Sequence, residues 1–225
     1  MWAVVPLKHI QHAKQRLGPL LTPAERADLM LAMIADVLDA LEATPGLAGI
    51  LLVSRAPEAA DLAKRHGCEL YSEAPGADLS ESVQAAGGYL VANRDAQGTL
   101  IVPGDVPLIT PTDVAAILAE HARFTLVPDS EGDGTNCIVS SPPNLIRYRF
   151  DGHSFKPHAE AAYGIGITPR IVRNEAFGLD VDTPRDLRRL LERTDAQGGA
   201  RTRATLRSSG IETRLTHLHN RSSAI

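Results

Sequence analysis

A chain of 225 residues, 44% of them hydrophobic, can bury one large core, or one core with a small appendage. A net charge of −4 gives no reason to expect a nucleic-acid partner, and no apolar run approaches the length of a membrane span. Cys68 and Cys137 stand far apart without a Cys-x-x-Cys spacing, which argues against a disulfide framework or a zinc site.

Trp2 to Leu7 reads as a first strand that meets Lys8 too soon for a signal peptide, so a cytoplasmic protein is expected. A polar basic loop follows, holding Lys8, Lys14 and Arg16. Thr22-Pro23-Ala24-Glu25 carries a capping-box pattern with proline at the first helical position, and Leu29, Met33, Val37 and Leu41 recur every four residues as a buried stripe. Ile50 to Val53 is a second strand, Pro57 to His66 a helix, and Glu69 to Tyr71 a short third strand. This βαβαβ alternation predicts a parallel sheet with helices on both faces. Leu79 to Asn93 is helical and leads to an apolar strand, Thr99 to Val102. Pro103-Gly104 ends that strand and delivers Asp105 to its carboxyl edge, where open α/β sheets bind ligands. Pro107 keeps Val106 out of a helix, and Thr110-Pro111 opens one that runs to His121. Phe124 to Pro128, Asn136 to Ser140 and Arg170 to Val172 are strands; 129–134 and 150–155 are exposed loops. His158 to Tyr163 is a short helix, and Pro184 to Glu192 another.

The fold class is α/β, a doubly wound and mostly parallel sheet over residues 1–193. From Arg193 onwards six arginines stand against Asp195 and Glu212, a net of +4. Residues 194–225 are expected as a basic C-terminal extension, solvated, with an oligomer contact or an added edge strand as the alternative. Ile211, Leu215 and Leu218 are the apolar residues by which it would lie on the body or join a homodimer.

Three carboxylates arrive at strand ends. Residues two apart in extended chain point the same way, so Asp180 and Asp182 can face one target together, and with Asp105 they form a hard-oxygen set suited to Mg²⁺. The plain alternative is that Asp182 caps the helix at Pro184. The basic loop after the first strand is where a triphosphate would sit, although no Gly-x-x-x-x-Gly-Lys is present and solvated surface lysines are the alternative. Gly134-Thr135-Asn136 and Gly152-His153-Ser154 bring hydroxyls, an amide and close backbone approach, equipment for a second small anion. No Ser-His-Asp order or glycine elbow appears. A phosphate as attacking group, with a second pKa near ~6, would need no protein base.

Pro6-Leu7-Lys8 with Ala13-Lys14-Gln15-Arg16-Leu17, Gly104-Asp105-Val106-Pro107-Leu108, Asp133-Gly134-Thr135-Asn136, Ser154-Phe155 with His158, and Leu179-Asp180-Val181-Asp182-Thr183-Pro184 together resemble the 2-phospho-L-lactate guanylyltransferase family. That family is similar to the molybdenum-cofactor guanylyltransferases and sugar nucleotidyltransferases, and acts in making coenzyme F-420. The resemblance covers about Met1 to Arg193 and implies a fold of the nucleotide-diphospho-sugar transferase type. It implies GTP as co-substrate, Mg²⁺, and a small phosphorylated carboxylic acid as acceptor, giving a guanylylated acid and pyrophosphate. By position, Lys8, Lys14 and Arg16 would hold the triphosphate and act with Asp105 in catalysis, and Ser80 and Gly104 would lie against the nucleotide. Asp105, Asp180 and Asp182 would hold the metal, and Thr135, Asp151, Gly152, Ser154 and His158 the acid.

Ser80, Cys137 and Asp151 depart from the family's usual residues. Cys137 and Asp151 put bulkier, more polar groups near the acceptor, which tilts the expectation among 2-phospho-L-lactate, phosphoenolpyruvate and 3-phospho-D-glycerate towards the last. The missing glycine-rich, arginine-containing first loop disfavours a sugar or molybdopterin nucleotidyltransferase. The intact aspartates disfavour a non-catalytic GTP-sensing module. The expected partners are small molecules, with neither nucleic acid nor membrane.

Overall fold

The computed structural model describes residues 1–8, 10, 14–194 and 197–215. Seven strands form one sheet: β1 (Trp2–Pro6), β2 (Gly49–Val53), β3 (Glu69–Tyr71), β4 (Thr99–Ile101), β5 (Phe124–Pro128), β6 (Thr135–Ser140) and β7 (Arg170–Ile171), in the order β3-β2-β1-β4-β6-β5-β7. β6 runs antiparallel to both β4 and β5, and the other pairs are parallel. The chain winds outwards from β1 to β2 and β3, then returns to place β4 on the other side of β1. That reversal makes β1/β4 the switch point of the sheet, with its crevice at the carboxyl ends. Because β6 is reversed, its first residues, Thr135 and Asn136, arrive at this same edge.

Strand residues alternate between two core layers. Val5, Leu52, Leu100 and Val139 face one set of helices; Val4, Leu51, Ile101 and Ile138 face the other. The first layer is closed by α1 (Pro23–Glu42), whose expected stripe of Leu29, Met33, Val37 and Leu41 is fully buried. Each such side chain contributes about 1.5–3 kcal/mol of burial. The remaining helices are α2 (Ala59–Arg65), α3 (Leu79–Arg94), α4 (Pro111–Ala119), α5 (Phe155–Gly164), α6 (Pro184–Glu192) and α7 (Ala200–Ser208). Capping boxes begin α1 at Thr22, α3 at Asp78, α4 at Thr110 and α6 at Thr183. No helix among the described residues is long and apolar enough to cross a membrane.

Over 200–215 the solvated reading is corrected, and the expectation that Ile211 and Leu215 lay the tail on the body holds. α7 lies on α1, and Leu206, Ile211 and Leu215 join the α1 core layer. The buried Asp36 of α1 accepts from Arg201 N (2.9 Å), Thr202 N (2.8 Å) and Thr202 Oγ1 (2.7 Å). Arg214 donates to Leu20 O and to Glu25 Oε1, and its guanidinium, with the Thr22 amide, holds that carboxyl down at about 2. Asp195, Leu218 and Arg221 lie outside the described residues.

Candidate active site

The β1/β4 crevice opens into a cleft of about 730 Å³, lined chiefly by four chain segments, within 101–105, 129–138, 150–154 and 180–189, with Pro6, Arg16 and Leu79 added singly. β4 ends at Pro103-Gly104, which brings Asp105 to the rim. The segment after β7 is pinned to it, Val181 N donating to Asp105 O at 3.0 Å. Val181 is buried, so Asp180 and Asp182 on either side of it turn the other way, into the cleft. Asp182 is not the helix cap: Thr183 caps α6 by accepting from Asp186 N. That leaves the Asp182 carboxylate for Lys14.

Lys14 takes a left-handed backbone conformation (φ 56°, ψ 41°) just before a short 3-10 turn, Gln15–Leu17, anchored by the buried Leu17. Its side chain is only 5% exposed, and Nζ donates to Asp105 Oδ2 (2.6 Å) and to Asp182 Oδ1 (2.5 Å). Burial pulls this ammonium down, but Asp105 and Asp182 together outweigh it and hold the pKa above the ordinary lysine value. Asp180 is pushed above the usual carboxylate range, chiefly by burial and further by Asp105 and Asp182; Asn136 Nδ2, donating to Oδ1 at 3.0 Å, works against this.

Three carboxylates against one ammonium leave two negative charges on oxygen donors facing the cleft, a set that matches a hard divalent cation. Lys14 spans two of the three, and the three are not gathered within ligand distance of one another. The described residues with such ligand atoms within 4.8 Å of one another are Asp39, Glu42 and His66, elsewhere on the molecule, where Asp39 already pairs with His66 and Arg201.

Thr135, Asp151, Gly152 and Ser154 line the same cleft, as does Arg16. The 129–134 loop is tightly tied rather than loose. The Asp129 carboxylate accepts from the backbone N–H of Glu131, Gly132, Asp133 and Gly134, at 2.6 to 3.0 Å. A Cβ at Gly134 would come within 2.8 Å of Asp129 Oδ2, so only glycine fits there.

Four expected site residues are placed elsewhere. Lys8 turns away from Lys14 and donates to Glu73 Oε2 (2.7 Å), Ala77 O (3.1 Å) and Ser82 Oγ (3.3 Å), because a buried carboxylate on the neighbouring loop draws it. Ser80 Oγ accepts from Phe150 N at 2.9 Å, tying the first turn of α3 to the 150–155 loop rather than lining the cleft. Gly104 is there for packing: a Cβ would press on Met30 and Ile34 of α1 at 3.2 Å. His158 is 0% exposed, with both ring nitrogens bonded to protein, so it does not touch a ligand.

The sequence reading missed Asn136 as the partner of Asp180, and Arg185 and Arg189, which α6 turns into the cleft. The arginines had a signal, since the capping pattern at Thr183 fixes the start of α6 and residues four apart on it share a face.

A family model described as guanylyl transferase CofC-like matches residues 1–223. The chain is 34% identical over 206 residues to a phosphoenolpyruvate guanylyltransferase of Rubrobacter xylanophilus, covering 90% of this chain and 97% of that one. It is 30% identical over 236 residues to a 2-phospho-L-lactate guanylyltransferase of Methanobrevibacter ruminantium, covering 98% and 96%. Among solved structures, a protein of Desulfovibrio desulfuricans G20 assigned to the nucleotide-diphospho-sugar transferases is similar in fold, with a TM-score of 0.73 at 20% identity over 96% of both chains.

Proposed function

The chain belongs to the guanylyl transferase CofC-like family, and from that membership we propose that it moves GMP from GTP to the phosphate of a small phosphorylated carboxylic acid, as a step in making coenzyme F-420. The observation that carries the reading is the meeting of Asp105, Asp180, Asp182 and Lys14 at the switch point, in a cleft lined also by Thr135 and Ser154. An oxygen of the acid's phosphate attacks the α-phosphorus of GTP, the bond to the β-phosphate oxygen breaks, and pyrophosphate leaves. The attacking phosphate is already largely ionised at neutral pH, its second pKa being near ~6, so no side chain has to take a proton.

The work of the protein is therefore alignment and charge. Lys14 fixes the separation of Asp105 and Asp182 and cancels one of the three negative charges beside the transfer. Arg16, Arg185 and Arg189 offer guanidinium groups to phosphate oxygens, which suit bidentate binding. Asn136 holds Asp180 in place from the floor, its amide also donating to Phe177 O at 2.8 Å. Thr135 and Ser154 supply hydroxyls to the acid. Asp105, Asp180 and Asp182 would hold Mg²⁺, which when bound neutralises charge on the triphosphate.

Asp105→Asn tests the assignment. Pyrophosphate release from GTP with each candidate acid should fall by about 10² or more, while the melting temperature stays close to that of the native chain. Release at a near-native rate would remove Asp105 from the site.

A further inference from the structure

We propose that His158 is a positioning residue that turns the Thr135 hydroxyl into a hydrogen-bond donor aimed at an oxyanion of the acceptor acid. The assignment rests on the reading of the Thr135 side of the cleft as the acceptor side.

The argument starts from a backbone group whose role is fixed. Arg149 N–H can only donate, and it lies 2.9 Å from His158 Nε2, so Nε2 must present its lone pair. Burial holds the imidazole well below an ordinary histidine, at about 4, despite an opposing pull from Asp151. The ring is therefore neutral at neutral pH, and its one proton sits on Nδ1. Nδ1 is 3.1 Å from Thr135 Oγ1. The hydroxyl must accept that proton, and its own hydrogen is left to point away from the ring. Thr135 lines the cleft, so this hydrogen is available to a ligand there.

The other tautomer would reverse every step. With the proton on Nε2, two donors would meet at Arg149 N, and Thr135 would spend its hydrogen on Nδ1. A ligand oxygen would then face an acceptor. A half-turn of the ring would put carbon in place of both nitrogens and break both hydrogen bonds, and Phe150 and Tyr148 pack against it edge-on, at 5.1 and 6.3 Å between ring centres. The locked hydroxyl selects an oxyanion, a carboxylate or phosphate oxygen, over any group that needs an acceptor.

Two measurements on the full chain test this. Nitrogen-15 spectra of the histidine-labelled protein should show the His158 ring protonated at Nδ1 and bare at Nε2 at pH 7. An Nε2-protonated or charged ring overturns the proposal, whether or not the enzymatic reading holds. The second is a kinetic cycle with GTP and the best acid. Thr135→Val should raise KM for the acid about ten-fold while KM for GTP stays within about two-fold, the scale of one hydrogen bond to a charged group. His158→Leu should raise KM for the acid in the native background and add nothing in the Thr135→Val background. Additive effects would mean that His158 acts on the fold rather than through Thr135, and would overturn the proposal. Should His158→Leu not fold, His158→Asn, which keeps an N–H near the Nδ1 position, should retain the native KM for the acid; a ten-fold rise there counts against the assignment in the same way. Absence of pyrophosphate release with every acid would instead sink the enzymatic reading, leaving the spectra to decide the tautomer.

Discussion

Single residues here take their character from neighbours that spacing alone cannot reveal. Lys14 is the plainest case. Replacing it with methionine leaves Asp105 and Asp182 facing each other without their shared cation, and should cost about 1–3 kcal/mol of stability after allowance for the partial exposure of Asp182. Added Mg²⁺ should then raise the melting temperature of Lys14→Met more than that of the native chain. Equal shifts would argue that the two carboxylates were never competing for Lys14 and a cation.

His158 gives a pH signature of defined sign. Its pKa is about 4 in the folded chain and near 6.5 when unfolded, so between those values the unfolded state binds more protons. Stability should be lost as pH falls from 6.5 towards 4, by an amount on the order of 3 kcal/mol at most. Denaturant titrations across that range should show a shallower slope for His158→Asn. The aspartates at strand ends were legible in sequence because period-two spacing and strand-breaking residues are local. The role of His158 was not, since it depends on a backbone N–H from another segment and on complete burial. The acceptor also turns on one residue. Cys137 borders the cleft but is only 1% exposed, so the expectation of 3-phospho-D-glycerate rests chiefly on Asp151, which lines the cleft while its carboxylate is paired with Arg149 at 2.5 Å. Asp151→Gly should lower kcat/KM for 3-phospho-D-glycerate and leave phosphoenolpyruvate unchanged. A loss common to both would withdraw 3-phospho-D-glycerate as the preferred acid.

At the level of elements, the helices announced themselves and the tail did not. Thr22, Thr110 and Thr183 each precede proline and stand three residues before an acidic side chain, a pattern complete within four residues. α7 has no such start: Gly199 is its cap and offers no side chain. The missing acceptor is Asp36 of α1, which takes two N–H groups and a hydroxyl at the first turn of α7, where the helix dipole also favours a carboxylate. A cap supplied across the fold leaves no mark in local sequence, and among the arginines only Ile211, Leu215 and Leu218 signalled that the tail lies on the body. Asp36→Ala should destabilise the protein by about 1–3 kcal/mol, seen as a lower melting temperature with KM for GTP unchanged. A melting temperature equal to the native one would mean that the docking of α7 does not depend on this carboxylate.

For the molecule as a whole, the reversal of β6 decides what can meet. Alternation of strands and helices made the parallel half legible, but strand direction is set by pairing, and nothing within Thr135–Ser140 says that it runs against β4. The reversal brings Thr135 and Asn136 to the edge already holding Asp105 and Asp180, so both halves of the proposed site share one crevice. That crevice is acidic. Eight carboxylate residues line it, Asp105, Asp129, Glu131, Asp133, Asp151, Asp180, Asp182 and Asp186, against Arg16, Arg185 and Arg189. Some of these carboxylates are answered locally, Asp105 and Asp182 by Lys14, Asp151 by Arg149 and Glu131 by Arg185. The field at Asp180 is not: burial and like charges already push its carboxyl upwards. A triphosphate and a phosphorylated acid entering together would add several negative charges to an already acidic cleft, where Coulomb repulsion is less screened than in bulk water. GTP affinity measured by calorimetry should therefore fall by about ten-fold or more when divalent cations are chelated, and the loss should shrink in Asp180→Asn, which removes one of the opposing charges. Equal GTP affinity with and without chelator would mean that the arginines alone balance the triphosphate, and the three strand-end aspartates would need another role.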